Sequence, residues 1–514
     1  MKVSGGVRVT NYLLSIDIGT SSCKVVIFDI DGNVIGSSSK AYNVYYPKKG
    51  HAQQDPDEWW QATCEAIKEA TLTSGVDKSA IAGIGVDGQS WSAIAIGKDG
   101  QVLTQTPIWM DTRAKDICDR LNREVGEDAI FDLCGNSLQP SYTTAKIVWY
   151  KENMHDVYRN ISAILQSNSF IVYKLTGNMS QDKSQGYGFH CFDMARGKWD
   201  YDMARTMGID TSFLPDIYEC HDVVGRVSKE AAMLTGLLEG IPVVAGGLDA
   251  ACGALGVGVV EAGQTQEQGG QAGGMSICID EYKAHKALIL GYHVIPNLWL
   301  LQGGTVGGGG VMRWFEKEFA DYERSQAKYL RKSSFDLLNE LASEVAPGSD
   351  GLVFLPYMMG ERSPIWDPNA KGVYYGLDFS KTKGHMVRAS MEGVAFSLKH
   401  NLDIAREVGV EANELRAMGG AANSHVWTQI KADVTGKEIK VPSSDTATAM
   451  GAAILAGVGV GLYKDFEDAA NRLVKIKRHH SPNIENCDIY MKNYEIYLEL
   501  YNNLKGLMKK YGGN

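Results

Sequence analysis

Tyr12-Leu-Leu-Ser-Ile-Asp-Ile-Gly-Thr-Ser-Ser-Cys-Lys-Val-Val-Ile-Phe-Asp29 reads as a strand, a glycine turn and a second strand. Alternating apolar residues carry the first strand to Ile18. The turn Gly19-Thr20-Ser21-Ser22 offers amides and hydroxyls suited to phosphate oxygens, and Asp17 at the strand's end suits a metal ion. Neither G-x-x-x-x-G-K-[ST] nor G-x-G-x-x-G follows this strand, so a P-loop and a dinucleotide fold both lack their motif. Taken alone, Asp17 reads equally well as a polar strand end beside an ordinary hairpin. A second glycine-rich segment, Val243-Val-Ala-Gly-Gly-Leu-Asp-Ala-Ala-Cys-Gly253, again presents one carboxylate, Asp249, at a backbone turn.

Working outward, Asp31-Gly32-Asn33 turns the chain between alternating runs as a hairpin does. Asp57 to Leu72 has helical apolar spacing behind an Asp-Pro-Asp-Glu start, and Ala80 to Ile96 returns as strand, Asp-Gly turn, strand. Further helices are predicted over Ala114 to Val125, Thr144 to Asn153 and Ser167 to Leu175. From Gly263 to Asp280 the order strand, glycine turn (Gly269-Gly-Gln-Ala-Gly-Gly274), strand echoes the opening hairpin, and residues 385 to 460 alternate helix with glycine-rich turns. The Tyr-rich, charged segment beyond Ile489 reads as a terminal surface helix. The inferred architecture is two similar α/β halves, 11–257 and 258–505, with a ligand cleft where their turns converge. One large α/β domain with incidental glycine turns is the alternative.

The chain's 514 residues suit roughly two to four domains at about 100 to 200 residues each. A net charge of −10 disfavours nucleic acid or an anionic membrane as partner, leaving small molecules. Nine cysteines without C-x-x-C spacing read as reduced, mostly buried thiols. The first eleven residues lack a signal peptide's apolar core, and the longest apolar stretch, Ala449 to Tyr463, contains four glycines and falls short of the ~20 residues of a membrane helix. A soluble cytoplasmic protein is expected.

In this order the segments resemble the FGGY carbohydrate kinases, which include xylulose, gluconate, ribulose and glycerol kinases, and the overall pattern is most like the xylulose kinases. The resemblance runs from about Tyr12 to Leu462. It rests on Ser141-Tyr-Thr-Thr-Ala-Lys-Ile-Val-Trp-Tyr-Lys-Glu-Asn153 and on Gly372-Val-Tyr-Tyr-Gly-Leu-Asp-Phe-Ser-Lys-Thr-Lys-Gly-His-Met-Val-Arg-Ala-Ser-Met-Glu392. It implies two ribonuclease H-like domains of the actin, Hsp70 and hexokinase superfold closing on ATP and magnesium.

The same resemblance implies roles. Asp17 is placed near magnesium, with Thr20, Ser21, Ser22 and Lys24 at the first phosphate loop. Asp249 stands where the family has its catalytic base, beside the metal and the sugar; an N-cap in a packed turn is its bland alternative. Gly419-Gly420-Ala421-Ala-Asn423 resembles the adenosine loop. Gly303 to Gly310, with Gly307 and Gly308, resembles the glycine run beside ATP; four successive glycines are costly in chain entropy and point to close approach of a ligand or of neighbouring backbone, or to a hinge. On the sugar side, Gln53 to Trp60 and Trp109-Met-Asp111-Thr-Arg113 resemble xylulose kinase segments, with Asp111 a hydrogen-bond acceptor held by Arg113.

Three departures bear on substrate and nucleotide. Gln89-Ser90-Trp91-Ser92 replaces the Gln-Met-His-Gly usual in xylulose kinases, so Trp91 either faces the sugar or fills the wall. Gly270-Gln271-Ala272-Gly273 replaces a Gly-Thr-Ser-Gly phosphate turn, and Ala250 follows the base where Asn is usual. Phosphorylation of a pentulose such as D-xylulose is the leading reading. A kinase for gluconate, favoured by Gly360-Glu-Arg-Ser-Pro-Ile-Trp-Asp367, for another sugar or polyol, or for an autoinducer is the alternative. So, from another class, is a non-catalytic actin-like nucleotide switch. A homodimer is implied by analogy alone.

Overall fold

The computed structural model describes residues 11–443 and 446–512. The first ten residues, on which the signal-peptide reading largely rests, lie outside them. Two seven-stranded sheets organise the chain. In the first, β1 (Tyr12–Ile18), β2 (Ser22–Asp29) and β3 (Val34–Ala41) form an antiparallel meander. After α1 (Pro56–Ser74), β4 (Ile81–Gly88) pairs parallel to β1. Beyond α2 (Thr143–Asn153) and α3 (Ser167–Thr176), β5 (Val223–Arg226), β6 (Pro242–Val244) and the short β7 (Gly247–Leu248) extend the sheet on the far side of β4. Alternation along β1 sorts its side chains: Leu14, Ile16 and Ile18 pack with Trp59 and Ile67 of α1, while Leu13 faces a core on the other side.

α4 (Asp249–Gly256) leads into the second sheet. There β8 (Gln264–Gly269), β9 (Gly273–Ile279), β10 (Ile289–Tyr292) and β11 (Trp299–Thr305) are antiparallel, and β8 is the partner of a parallel strand that follows α5 (Gly309–Phe319) and the long α6 (Lys383–Glu407). That strand is β12 (Glu414–Met418), followed by α7 (His425–Thr435), β13 (Glu438–Pro442), α8 (Ala447–Gly459), β14 (Ile476–His480) and α9 (Ile484–Tyr511). The order β11-β9-β8-β12-β13 repeats β3-β2-β1-β4-β6 in both neighbours and sense, so the echo between the two glycine hairpins extends to the whole sheet. The fold is α/β with two such sheet-containing domains around a central cleft.

Local chemistry sets the element ends. Asp55 caps α1 by accepting the Asp57 amide at 3.0 Å, Pro56 begins it, and Gly75 at φ 65° ends it. α8 is apolar on all sides because it is buried on all sides, lying against β1 and β4 of the first sheet and against α4. Side chains at Gly85, Gly256 or Gly451 would strike the carbonyls of Ala452, Ala447 and Cys252, so these glycines let the backbones meet.

Three expectations change. The Asp87-Gly88 pair continues β4 instead of turning, because both residues pair with Asp17 and Ile18 on one side and with Gly247 and Leu248 on the other. The strand expected beyond it, Ile94–Gly97, pairs with Ile161–Leu165 in a separate ribbon. α9 is half buried: Tyr490, Tyr494 and Tyr497 pack against Phe396 of α6, and Arg388 Nη2 donates to the Tyr490 hydroxyl at 2.7 Å.

Candidate active site

Adjacent parallel strands place the carboxyl ends of β1, β4 and β7 side by side, the usual location of a site in an open α/β sheet. Asp17 and Asp87 share one register position, Gly247 pairs with Asp87 on the other side, and Asp249 follows two residues later in the first turn of α4. Asp249 Oδ1 accepts its neighbour's amide, Ala250 N, at 2.6 Å. Burial pushes Asp17 up to about 6, against the pull of Asp87 and of the Lys24 ammonium across the hairpin. Burial and then the charge of Asp17 push Asp249 up to about 7. Asp87 is fully buried, its carboxyl finds no partner but Asp17, and burial together with the charges of Asp17 and Asp249 raises it well above the ordinary carboxylate range.

This concentration of carboxylates fits a small, hard cation. Among the described residues no three His, Cys, Asp or Glu side chains gather closely enough to cage a metal by themselves. A divalent ion would therefore rest on one or two carboxylates, Asp17 and Asp249 being the candidates, with water and phosphate oxygens completing its shell, the habit of magnesium.

A cleft of about 300 Å³ opens from Asp249 between the two sheets. Thr20, Gln89, Ser90, Trp91, Trp109 and Asp249 line it from the first domain, and Gln268, Ala272, Gly273, Gln302 and Arg362 from the second. Trp91 adopts φ 62° at the tip of the turn after β4. Its carbonyl is one of three, with those of Ile108 and Ser141, that accept the buried Lys146 ammonium at 2.8, 2.8 and 2.6 Å. The indole lies tilted on Tyr142 with centroids 4.2 Å apart and meets Tyr187 edge-on, while its Nε1 makes no hydrogen bond of ordinary geometry. Trp91 thus belongs to an aromatic wall and also presents a donor.

Two further cavities lie beside this cleft. One, of about 340 Å³, is lined by Gly270, Gly420, Ala421 and Asn423 together with Met312, Phe335, Asn339 and Trp427, an apolar slot with polar edges that suits a nucleobase. The other, of about 330 Å³, joins Asp17 and Lys24 to Gly419, Gly420 and Thr448. Ser21 is exposed and Ser22 half-buried on the turn beside it. Gln271 bonds through its side-chain oxygen to Arg313, a cation on the wall of the 340 Å³ cavity. The glycine run packs on neighbouring backbone: Gly309 and Gly310 donate to the carbonyls of Gly270 and Gln271 at 2.7 and 2.9 Å, a Cβ on Gly307 would lie 2.5 Å from the Pro356 carbonyl, and one on Gly308 would strike Ala272.

Asp111 and Arg113 stand apart from these cavities. The Asp111 carboxylate is fully buried and accepts the amides of Ala52 at 2.7 Å and Arg113 at 2.9 Å as well as the Arg113 guanidinium, which also reaches Gln53 Oε1. Its acceptors are committed to the protein, and it lines none of these three cavities. Asp87 is the site residue that sequence reasoning missed. Its signal is a carboxylate at the end of an apolar run like Asp17's, but an Asp-Gly pair by itself predicts a turn. Phe335 and Asn339 carry no motif at all.

Among the described residues no helix is long and apolar enough to cross a membrane. The profile of the FGGY family of carbohydrate kinases, N-terminal domain, matches residues 12–256, and that of its C-terminal domain matches residues 276–460. The chain is 30% identical to xylulose kinase of Bacillus subtilis over 499 residues, 96% of this chain and 98% of that protein. It is 29% identical to gluconokinase of the same organism over 503 residues, covering 98% and 97%. Its structure is similar to that of xylulose kinase from Rhodospirillum rubrum, with a TM-score of 0.89 at 28% identity over 97% of this chain and all of that one. Gluconate kinase from Lactobacillus acidophilus also gives 0.89, at 26% identity over 98% and 100%. The fold, the carboxylates at the strand ends and these matches together make the chain a sugar kinase of the FGGY family of carbohydrate kinases.

Proposed function

We propose that this chain transfers the γ-phosphoryl group of ATP, with magnesium, to a primary hydroxyl of a pentulose, D-xylulose first. The observation that carries the reading is the Asp249 carboxylate at the first turn of α4, facing a cleft shared by the sugar-side wall of Gln89 and Trp91 and the phosphate-side turns, where burial raises its pKa in the metal-free protein. Asp249 accepts the proton as the hydroxyl oxygen bonds to phosphorus and the bond to ADP breaks; a base poised near neutral pH suits that task. The cation, held at Asp17 and Asp249, would offset charge on the phosphate oxygens. Gln89 and the Trp91 indole orient the acceptor, while the amides around Thr20 and Gly273 face the phosphates. The residue units 11–257 and 258–505 act as the two closing halves.

Relatives named xylulose kinase support the pentulose choice. One observation favours a sugar acid: Arg362, from the segment that resembles gluconate kinases, puts a cation on the cleft wall where a carboxylate can meet it. A coupled ADP-release assay across D-xylulose, other pentuloses, gluconate, glycerol and longer polyols decides between them. D-Xylulose is expected to give the highest kcat/KM. Gluconate in first place, with a selective loss in Arg362→Met, transfers the reading to the sugar acid, and ADP release indifferent to every acceptor overturns it.

A further inference from the structure

Two hydrogen-bonded routes run from the sugar-side wall to the phosphate turn, and both end on Thr20. The Trp109 indole donates directly to Thr20 Oγ1 at 3.0 Å. The second route passes through a buried amide: Gln89 Nε2 donates to Gln54 Oε1 at 2.8 Å, and Gln54 Nε2 donates to the carbonyls of Thr20 at 2.9 Å and Asn43 at 3.1 Å. Gln89, Trp109 and Thr20 line the cleft, whereas Gln54 is fully buried behind it. Both hydrogens of the Gln54 amide are therefore used, and its side chain has one geometry that serves all three partners.

The two ends of this network are open. Gln89 Oε1 is buried without a partner, which costs free energy until a donor such as an acceptor hydroxyl reaches it. At the other end the indole N–H occupies an acceptor site of the Thr20 hydroxyl, so its own hydrogen remains to be given to a phosphate oxygen. A hydroxyl bound at Gln89 Oε1 polarises that amide and strengthens its donation to Gln54, which in turn steadies the Thr20 peptide.

We propose that Gln54 and Trp109 are positioning residues that couple acceptor binding to nucleotide binding through Thr20. This rests on the kinase reading above. By linkage, the factor by which acceptor tightens nucleotide equals the factor by which nucleotide tightens acceptor. The device also favours transfer to a sugar over transfer to water, since a lone water need not engage Gln89 and leaves the turn less ordered.

The test measures dissociation constants of magnesium ADP by calorimetry, with and without the acceptor that the kinase assay ranks first, for the wild type, Gln54→Leu and Trp109→Phe. The wild type is expected to show coupling of about tenfold, and each variant about twofold or less. Trp109→Phe keeps an aromatic ring on the wall while removing the N–H and part of the indole's volume, so it carries the test should Gln54→Leu fail to fold. A variant in which both affinities weaken while the coupling factor stays at the wild-type value overturns the inference and leaves the kinase reading standing. A wild type that binds ADP but neither binds nor phosphorylates any acceptor overturns the kinase reading, and the coupling with it.

Discussion

Asp17 and Asp87 lie directly opposite one another in parallel strands, and the register that pairs them also brings Gly247, and so Asp249, to the far side of Asp87. Each of the three carboxyls is raised above its ordinary value by burial first. The folded state therefore favours their neutral forms. Their contribution to stability is fully present below the unfolded pKa and is lost as pH rises through about 6 for Asp17 and about 7 for Asp249. In magnesium-free buffer the melting temperature is expected to fall between about pH 4 and pH 7, and Asp249→Asn should flatten that fall and melt above the wild type at pH 8. The same variant should lose kcat by about 10²- to 10⁴-fold while retaining sugar binding. Parallel melting curves for the two proteins, or near-normal turnover, count against Asp249 as the base.

Trp91 joins packing and recognition in one side chain. Its ring is held by Tyr142, Tyr187 and the Lys146 bond to its carbonyl, and Nε1 makes no hydrogen bond of ordinary geometry. Trp91→Phe should keep the ring contacts and lose the donor, raising KM for the acceptor about three- to tenfold, the cost of one hydrogen bond, with KM for ATP unchanged. A drop in melting temperature with both constants affected alike assigns the ring to the core alone.

Asp111 gives the opposite expectation. Its carboxylate ties together Ala52, Arg113 and, through Arg113, Gln53. Asp111→Ala leaves the Arg113 guanidinium buried without its partner, at a cost of about 3–5 kcal/mol in urea unfolding. A stable variant with KM raised for sugar only would return Asp111 to direct contact with substrate.

The parts of this protein that could be read from sequence are those in which a local pattern has one physical outcome. The alternation of β1 and β2 around Gly19, and the capped start of α1 after Asp55, leave little choice of structure, and both elements stand within two residues of their predicted bounds. Asp87 failed because an Asp-Gly pair has two outcomes. Alone it favours a turn, but two parallel neighbours on either side hold it extended. The glycine run from Gly307 was legible as a close approach, yet the identity of what approaches, the backbone of Gly270 to Ala272, depends on residues some 35 positions away in a different element. The burial of α9 was hidden for a similar reason: tyrosines suit a surface as well as a core, and only the facing helix α6 decides.

A cleft that closes on its ligands would turn on the crossing of α4 and α8. α4 carries Asp249 at its first turn, and α8 begins beside Thr448, which lines both the central cleft and the cavity that holds Asp17 and Lys24. The helices meet backbone to backbone at Gly256 and Gly451, and α8 meets the first sheet in the same way at Gly85. Contacts without side chains let two surfaces slide or rotate with little repacking, so this crossing is placed to act as the pivot, with the connection Val257–Gln264 following it. Acceptor and a non-hydrolysable ATP analogue together should reduce the radius of gyration in solution scattering and slow proteolysis of Val257–Gln264, because the catalytic groups assemble only around the correct acceptor. Gly451→Ala drives a methyl into the Cys252 carbonyl, and it should lower the melting temperature and diminish the ligand-induced compaction. A radius that stays constant under saturating ligands, with cleavage equally unaffected, would show that the site is already closed and that this crossing is rigid support.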